Sequence, residues 1–165
     1  LMNIKKIIVW GRDSVKANKV KADLSDLDVT IEHDLEKVVK ESRLIITTTS
    51  SKEPLIQSDW IKSGTHITAV GSDTPEKCEL DPNILSKADL IVADSIEQNL
   101  IRGEIHQAIK RSLIDSESIV ELGEIFAGLK PGRAHKDSIT IADLTGVAVQ
   151  DLVIAESVFK AYSAI

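Results

Sequence analysis

The residues whose types and spacing best suit chemistry are Asp73 and Lys77, four apart in "VGSDTPEKCELDP" (70–82). A carboxylate and an ammonium so placed can act together, the carboxylate moving a proton and the cation tuning it or holding a substrate carboxylate. Gly71 just before them allows close backbone approach by a ligand, and Ser72 offers a donor. The plain alternative is a turn made by Asp73, Thr74 and Pro75. A second cluster is "VWGRDS" (9–14), where Arg12 suits a 2′-phosphate, pointing to NADP, and Asp13 suits a ribose hydroxyl. Asp13 or Ser14 serves equally as a helix cap. A third, "TTTSS" (47–51), offers hydroxyls to a nucleotide, although Thr and Ser are common at strand ends.

Other reactive side chains read as structural. His66 falls within an apolar strand and suits a hydrogen-bonded core position. Glu104 and His106 in "GEIHQAI" are wrongly spaced for two ligands on one helical face, so no metal site is expected. Cys78 has no partner that would make it a nucleophile, and Lys110 and Arg111 suit a solvated face. Glu76 and Glu79 are expected to form the solvated rim of the Asp73 loop.

These clusters sit where short apolar runs end, and the runs alternate with amphipathic stretches, the pattern of repeated βα units. Strands are expected at 6–10, 28–33, 44–49, 66–70, 89–95 and 137–144. Helices are expected over 13–26, 34–42 and 146–162, with a short one opened by Asp81 and Pro82. "IEQNLIRGEIHQAIKRSL" reads as a helix broken at Gly103, and "IVELGEIFAGLKPGR" as another helix. The spacing implies a doubly wound, mainly parallel α/β sheet, whose ligands lie beyond the carboxyl ends of the strands. "VWGRDS", "TTTSSKE" and "VGSDTPEK" all lie at such ends.

The 165 residues suit one domain with a small appendage, and 42% hydrophobic with 28% charged residues suits an ordinary globular core. A net charge of −6 with no basic patch argues against nucleic acid and acidic membranes as partners. A single cysteine excludes an internal disulfide, and the apolar runs are too short to span a bilayer, so a cytoplasmic location is expected. No G-x-G-x-x-G or Walker-type loop occurs, and the chain enters a strand almost at its first residue, as if at the second strand of a Rossmann fold.

The colinear run of "VWGRD", "IITTTSSKEPLI", "GTHITAVGSDTPEKCELDPNILSKADLIVADS", "RGEI", "ELGEIFAGLKPGR" and "ITIADLTGVAVQDLVIAESVF" resembles the carboxy-terminal portion of the ornithine cyclodeaminase/mu-crystallin family. The resemblance covers nearly the whole chain. It implies a Rossmann-like NAD(P)-binding domain over 1–145, lacking its first strand and glycine-rich loop, and a helix over 146–165 belonging to a dimerisation and substrate domain. It implies NAD or NADP as cofactor, a small amino or imino acid as substrate, and a homodimer. Deaminating cyclisation, imine reduction, alanine dehydrogenation, a role in ectoine breakdown and non-catalytic mu-crystallin-like ligand binding are all family activities.

Carried over residue by residue, the family's catalytic aspartate falls on Asp73 and the lysine after it on Lys77. Cofactor-side positions fall on Arg12, Asp13, Ser50, Ser51, Gly71 and Ser72, and in "DLTG" on Asp143, Thr145 and Gly146. Leu144 stands where the ornithine enzyme has a serine, which leaves Thr145 to supply a hydroxyl there. The combination of "GSD" with "DLTG" looks more like the ectoine-linked or uncharacterised branches. The glycine loop and the basic residues for the substrate carboxylate are implied to lie upstream of Leu1, so these 165 residues alone are expected to be inactive.

Overall fold

Strands covered on both faces need apolar side chains pointing both ways, and the first run supplies them. In the computed structural model, which describes residues 4–163, β1 (Ile7–Val9) pairs in parallel with β2 (Val29–Ile31), Ile7 opposite Val29 and Val9 opposite Ile31. Between them α1 (Ser14–Asp23) packs on both strands. It starts at Asp13, whose Oδ1 accepts the N–H groups of Val15 at 2.9 Å and Lys16 at 3.2 Å. After β2, Asp34 caps α2 (Leu35–Glu41) in the same way, accepting from Lys37 N at 3.2 Å. These four elements form one compact unit that ends at Arg43; a second begins at Leu44.

The second unit contains β3 (Leu44–Thr47), β4 (His66–Ala69), α3 (Asn83–Ser86), β5 (Leu90–Ala93), α4 (Ile96–Asn99) and α5 (Gly103–Lys110). It continues with β6 (Ile119–Glu121), α6 (Leu122–Phe126), β7 (Thr140–Asp143) and α7 (Ala148–Ser163). Its five strands run parallel in the order β3-β4-β7-β5-β6, so the last strand in sequence lies at the centre. One row of isoleucines crosses the whole sheet in register: Ile45, Ile67, Ile141, Ile91 and Ile119, all buried. Side chains alternate along a strand, so the next row on that face is Thr47, Ala69, Asp143, Ala93 and Glu121. The core therefore gives way to small and polar residues at the carboxyl edge.

One expectation is corrected. The stretch 119–133 is not a single helix, because Ile119 and Val120 pair with Ile91 and Val92 as strand β6 before α6 begins at Leu122. Two β-branched residues beside a partner strand gain more from the ladder than from a helical turn. The stretch from 96 to 110 does break before Gly103, into α4 and α5. His66 is half-buried and hydrogen-bonded as expected, with Nδ1 2.7 Å from Thr140 Oγ1 and Nε2 3.2 Å from Thr68 Oγ1. Helix α7 buries no residue, and Leu152, Ile154, Phe159 and Tyr162 are each well over half exposed. Among the described residues, no helix is long and apolar enough to cross a membrane.

Candidate functional site

The carboxyl edge of the second sheet is built around Asp143. Ala69 and Ala93 flank it in the register row and leave room for the first turn of α5. Asp143 Oδ2 accepts the N–H of Ile105 at 2.8 Å, a carboxylate at a helix amino end. Gly103 permits this approach: its φ is +91°, and a Cβ there would lie 2.5 Å from the same oxygen. Burial holds the Asp143 carboxyl well above the usual carboxylate range.

The loop after β4 is held from beneath by two fully buried carboxylates. Glu79, expected at the solvated rim, is instead 0% exposed. It accepts from Thr47 Oγ1 at 2.7 Å, Thr49 N at 2.5 Å and Gly71 N at 2.9 Å, tying the β3 end to the β4 end. A buried carboxylate with three donors is stable where an unpaired one is not, so the charge density of "EKCE" was a poor guide to exposure. Glu104, in the first turn of α5, is equally buried. It accepts from the Ser72 hydroxyl, from Glu79 N at 2.7 Å and from Leu80 N at 3.2 Å. Burial raises its carboxyl above the ordinary value, against the pull of those donors.

Gly71 owes its missing side chain to these contacts, since a Cβ would fall 2.0 Å from the Thr49 carbonyl and 2.6 Å from Glu79. Its close approach is to the protein itself.

On the loop so held, Asp73 and Lys77 form an ion pair, with side chains 53% and 22% exposed. The Lys77 ammonium, hydrogen-bonded to Asp73, keeps that carboxyl below its usual range, and Arg102 adds a smaller pull in the same direction. Asp73 is thus an anionic, solvent-facing base. Cys78 is buried, and burial pushes its thiol up to about 12, which leaves no thiolate for nucleophilic work.

The other sequence candidates divide by exposure. Ser50 and Gly146 are exposed at the same edge. Ser51 is buried, and its hydroxyl donates to the Glu53 carbonyl at 2.7 Å. Ser72 is 1% exposed and its hydroxyl faces Glu104. Thr145 is buried, and Asp94 receives both its hydroxyl, at 3.3 Å, and the N–H of Gly146, at 2.7 Å. Arg12 and Asp13 are exposed after β1 in the first unit, Asp13 with one oxygen engaged by the α1 cap. Sequence reasoning missed Glu79, Glu104 and Asp94. Glu104 had a readable signal, since helical spacing puts it on one face with Ala108, which is fully buried. Among the described residues, no three His, Cys, Asp or Glu side chains converge as metal ligands would.

A model of the ornithine cyclodeaminase/mu-crystallin family matches residues 1–164. The chain belongs to this family. An uncharacterized cyclodeaminase of Sinorhizobium fredii is 39% identical over 161 residues, which is 95% of this chain and 49% of that protein. An archaeal alanine dehydrogenase dimer solved with bound NAD superposes with a TM-score of 0.89 at 35% identity, over 96% of this chain and 50% of that one. Delta(1)-pyrroline-2-carboxylate reductase of Thermococcus litoralis, solved with NADH and L-proline, gives 0.88 at 31% identity, over 93% of this chain and 49% of that one. The chain spans about half the length of the curated relatives it matches.

Proposed function

We propose that this chain is the dinucleotide-side portion of an NAD(P)-dependent enzyme that oxidises the α-carbon of a small amino acid or reduces the corresponding imine. The observation that carries this reading is Asp73: an exposed carboxylate held anionic by Lys77, on a braced loop at the carboxyl edge of a parallel sheet. The alanine dehydrogenase solved with NAD and the pyrroline-carboxylate reductase solved with NADH and L-proline support it.

Each unit, taken by itself, holds residues that suit part of a dinucleotide. Arg12 is an exposed cation at a strand end, suited to a phosphate on the adenosine ribose. Ser50 offers a hydroxyl, and Gly146, with nothing within 4 Å of an added Cβ, leaves space along the edge that carries Asp73. Bound NAD(P)⁺ would supply the hydride acceptor, and NAD(P)H the donor in reverse.

Asp73 then does the proton chemistry. As a base it deprotonates the water that attacks the imine carbon, leading to a keto acid, or the side-chain amine that attacks it in cyclisation. In the reductive direction the same oxygen returns a proton. Lys77 keeps Asp73 ionised between turnovers. Helix α7, open along its apolar length, belongs in this reading to a second domain shared in a homodimer; the alanine dehydrogenase that superposes on this chain was solved as a dimer.

Fluorescence titration of the whole protein with NADH and NADPH tests the cofactor, and turnover with alanine, proline and ornithine and their imines tests the chemistry. Asp73→Asn is expected to keep NAD(P)H affinity and to lower kcat by about 10²–10⁴-fold, the usual range for a lost acid/base. Full activity in that variant would remove Asp73 from its role, and absence of binding by either dinucleotide would end the cofactor assignment.

A further inference from the structure

The Asp73 loop leaves β4 at Gly71 and returns at Leu80, and one buried carboxylate grips both of its ends. Oε1 of Glu104 accepts the Ser72 hydroxyl at the loop's entry and the Glu79 N–H at its exit, the latter at 2.7 Å. Oε2 accepts Leu80 N at 3.2 Å and lies 3.7 Å from the Cys78 sulfur. One turn further along the same helix, Gln107 Nε2 donates to the Pro75 carbonyl at 2.7 Å, near the loop's tip. Helix α5 is itself fixed to the sheet by Asp143 through Ile105 N. A continuous path of hydrogen bonds therefore runs from the central strand, through the first turn of α5, to the residue before Asp73.

We propose that Glu104 is the positioning residue for Asp73, setting where its carboxylate stands at the sheet edge by pinching the loop closed at Ser72, Glu79 and Leu80. Its oxygens are engaged inside the protein; no substrate or cofactor need touch a side chain that is 0% exposed. This rests on the reading of Asp73 as acid/base given above. Two features distinguish a positioning role from simple packing. The carboxylate's partners belong to the loop that carries Asp73 and to no other element. The tie nearest the loop's tip, Gln107 to the Pro75 carbonyl, comes from the same helix, and the Asp73–Lys77 pair is internal to the loop.

The test compares Glu104→Gln, Ser72→Ala and their double variant with Asp73→Asn in the whole protein, measuring Tm, NADH affinity, KM and kcat per folded molecule well below Tm. Glu104→Gln keeps the shape but presents an amide N–H₂ to groups that are themselves donors; Ser72→Ala removes only the entry contact. We expect kcat to fall about ten- to a hundredfold in Glu104→Gln, as for a displaced catalytic group, with NADH affinity kept within about twofold. Ser72→Ala should show a smaller loss of the same kind, and the double variant less than the product of the two, because both act through one contact. A lowered Tm with kcat unchanged would mark Glu104 as structural only and overturn the proposal. If Glu104→Gln does not fold, Ser72→Ala decides by the same criteria. Full activity in Asp73→Asn would sink the acid/base reading instead, so the two failures are told apart.

Discussion

Asp73 and Lys77 are four residues apart, and the ion pair they form sets the protonation of the exposed carboxylate. Because the pair is solvent-facing, it adds little to stability. Its consequence lies in titration: a carboxyl held below its ordinary value remains a base further into acid. Lys77→Met removes the largest cause of that lowering. The acid limb of kcat/KM against pH is expected to move up, towards the ordinary aspartate value of 3.8 and no longer below it. An unmoved limb would show that Lys77 does not tune the group that titrates. Any stability the pair contributes has the same sign: it is present above the unfolded-state pKa and is lost as pH falls through the lower native value.

At the scale of elements, the site depends on how closely α5 approaches the end of β7. Gly103 is the hinge of that approach, with φ at +91° and no room for a Cβ against Asp143, Thr145 or Asn99. Gly103→Ala combines a left-handed backbone, costing about 1–2 kcal/mol for a residue with a Cβ, with a collision against a buried carboxylate. The expected result is a total loss above about 2 kcal/mol in urea unfolding, accompanied by lower kcat as α5 withdraws from the loop. Ala substitution at Gly128, which also has positive φ but nothing within 4 Å of an added Cβ, should cost only the backbone term. The contrast between the two isolates the packing contribution.

For the whole molecule, the exposed apolar surface of α7 has a physical consequence. Leu152, Ile154, Val158, Phe159 and Tyr162 are all more than half exposed on one sixteen-residue helix. Contiguous apolar surface of this kind drives association in water. Residues 1–165 produced by themselves should therefore self-associate with rising concentration in sedimentation or light scattering. Leu152→Lys with Phe159→Glu should suppress that association while leaving the far-ultraviolet circular dichroism unchanged. A monodisperse monomer at all concentrations would contradict this.

The alternation of β-branched runs with amphipathic stretches determined the parallel α/β class and six of the strands, because buried parallel strands need continuous apolar runs wherever they sit. The same periodicity put "GSDTPEK" at a strand's carboxyl end, and its colinear setting singled out Asp73 and Lys77. What only the tertiary structure decided was what lies beneath that loop. Strand β6 exists because β5 is there to pair with it, and β7, last in the chain, enters the middle of the sheet and brings Asp143 under α5. Glu79 and Glu104 look like surface charge in one dimension, since local sequence records a residue's charge and not the donors brought to it from elsewhere. The hydrogen bonds to Glu104 span 24 to 32 residues of chain, and only folding closes those distances.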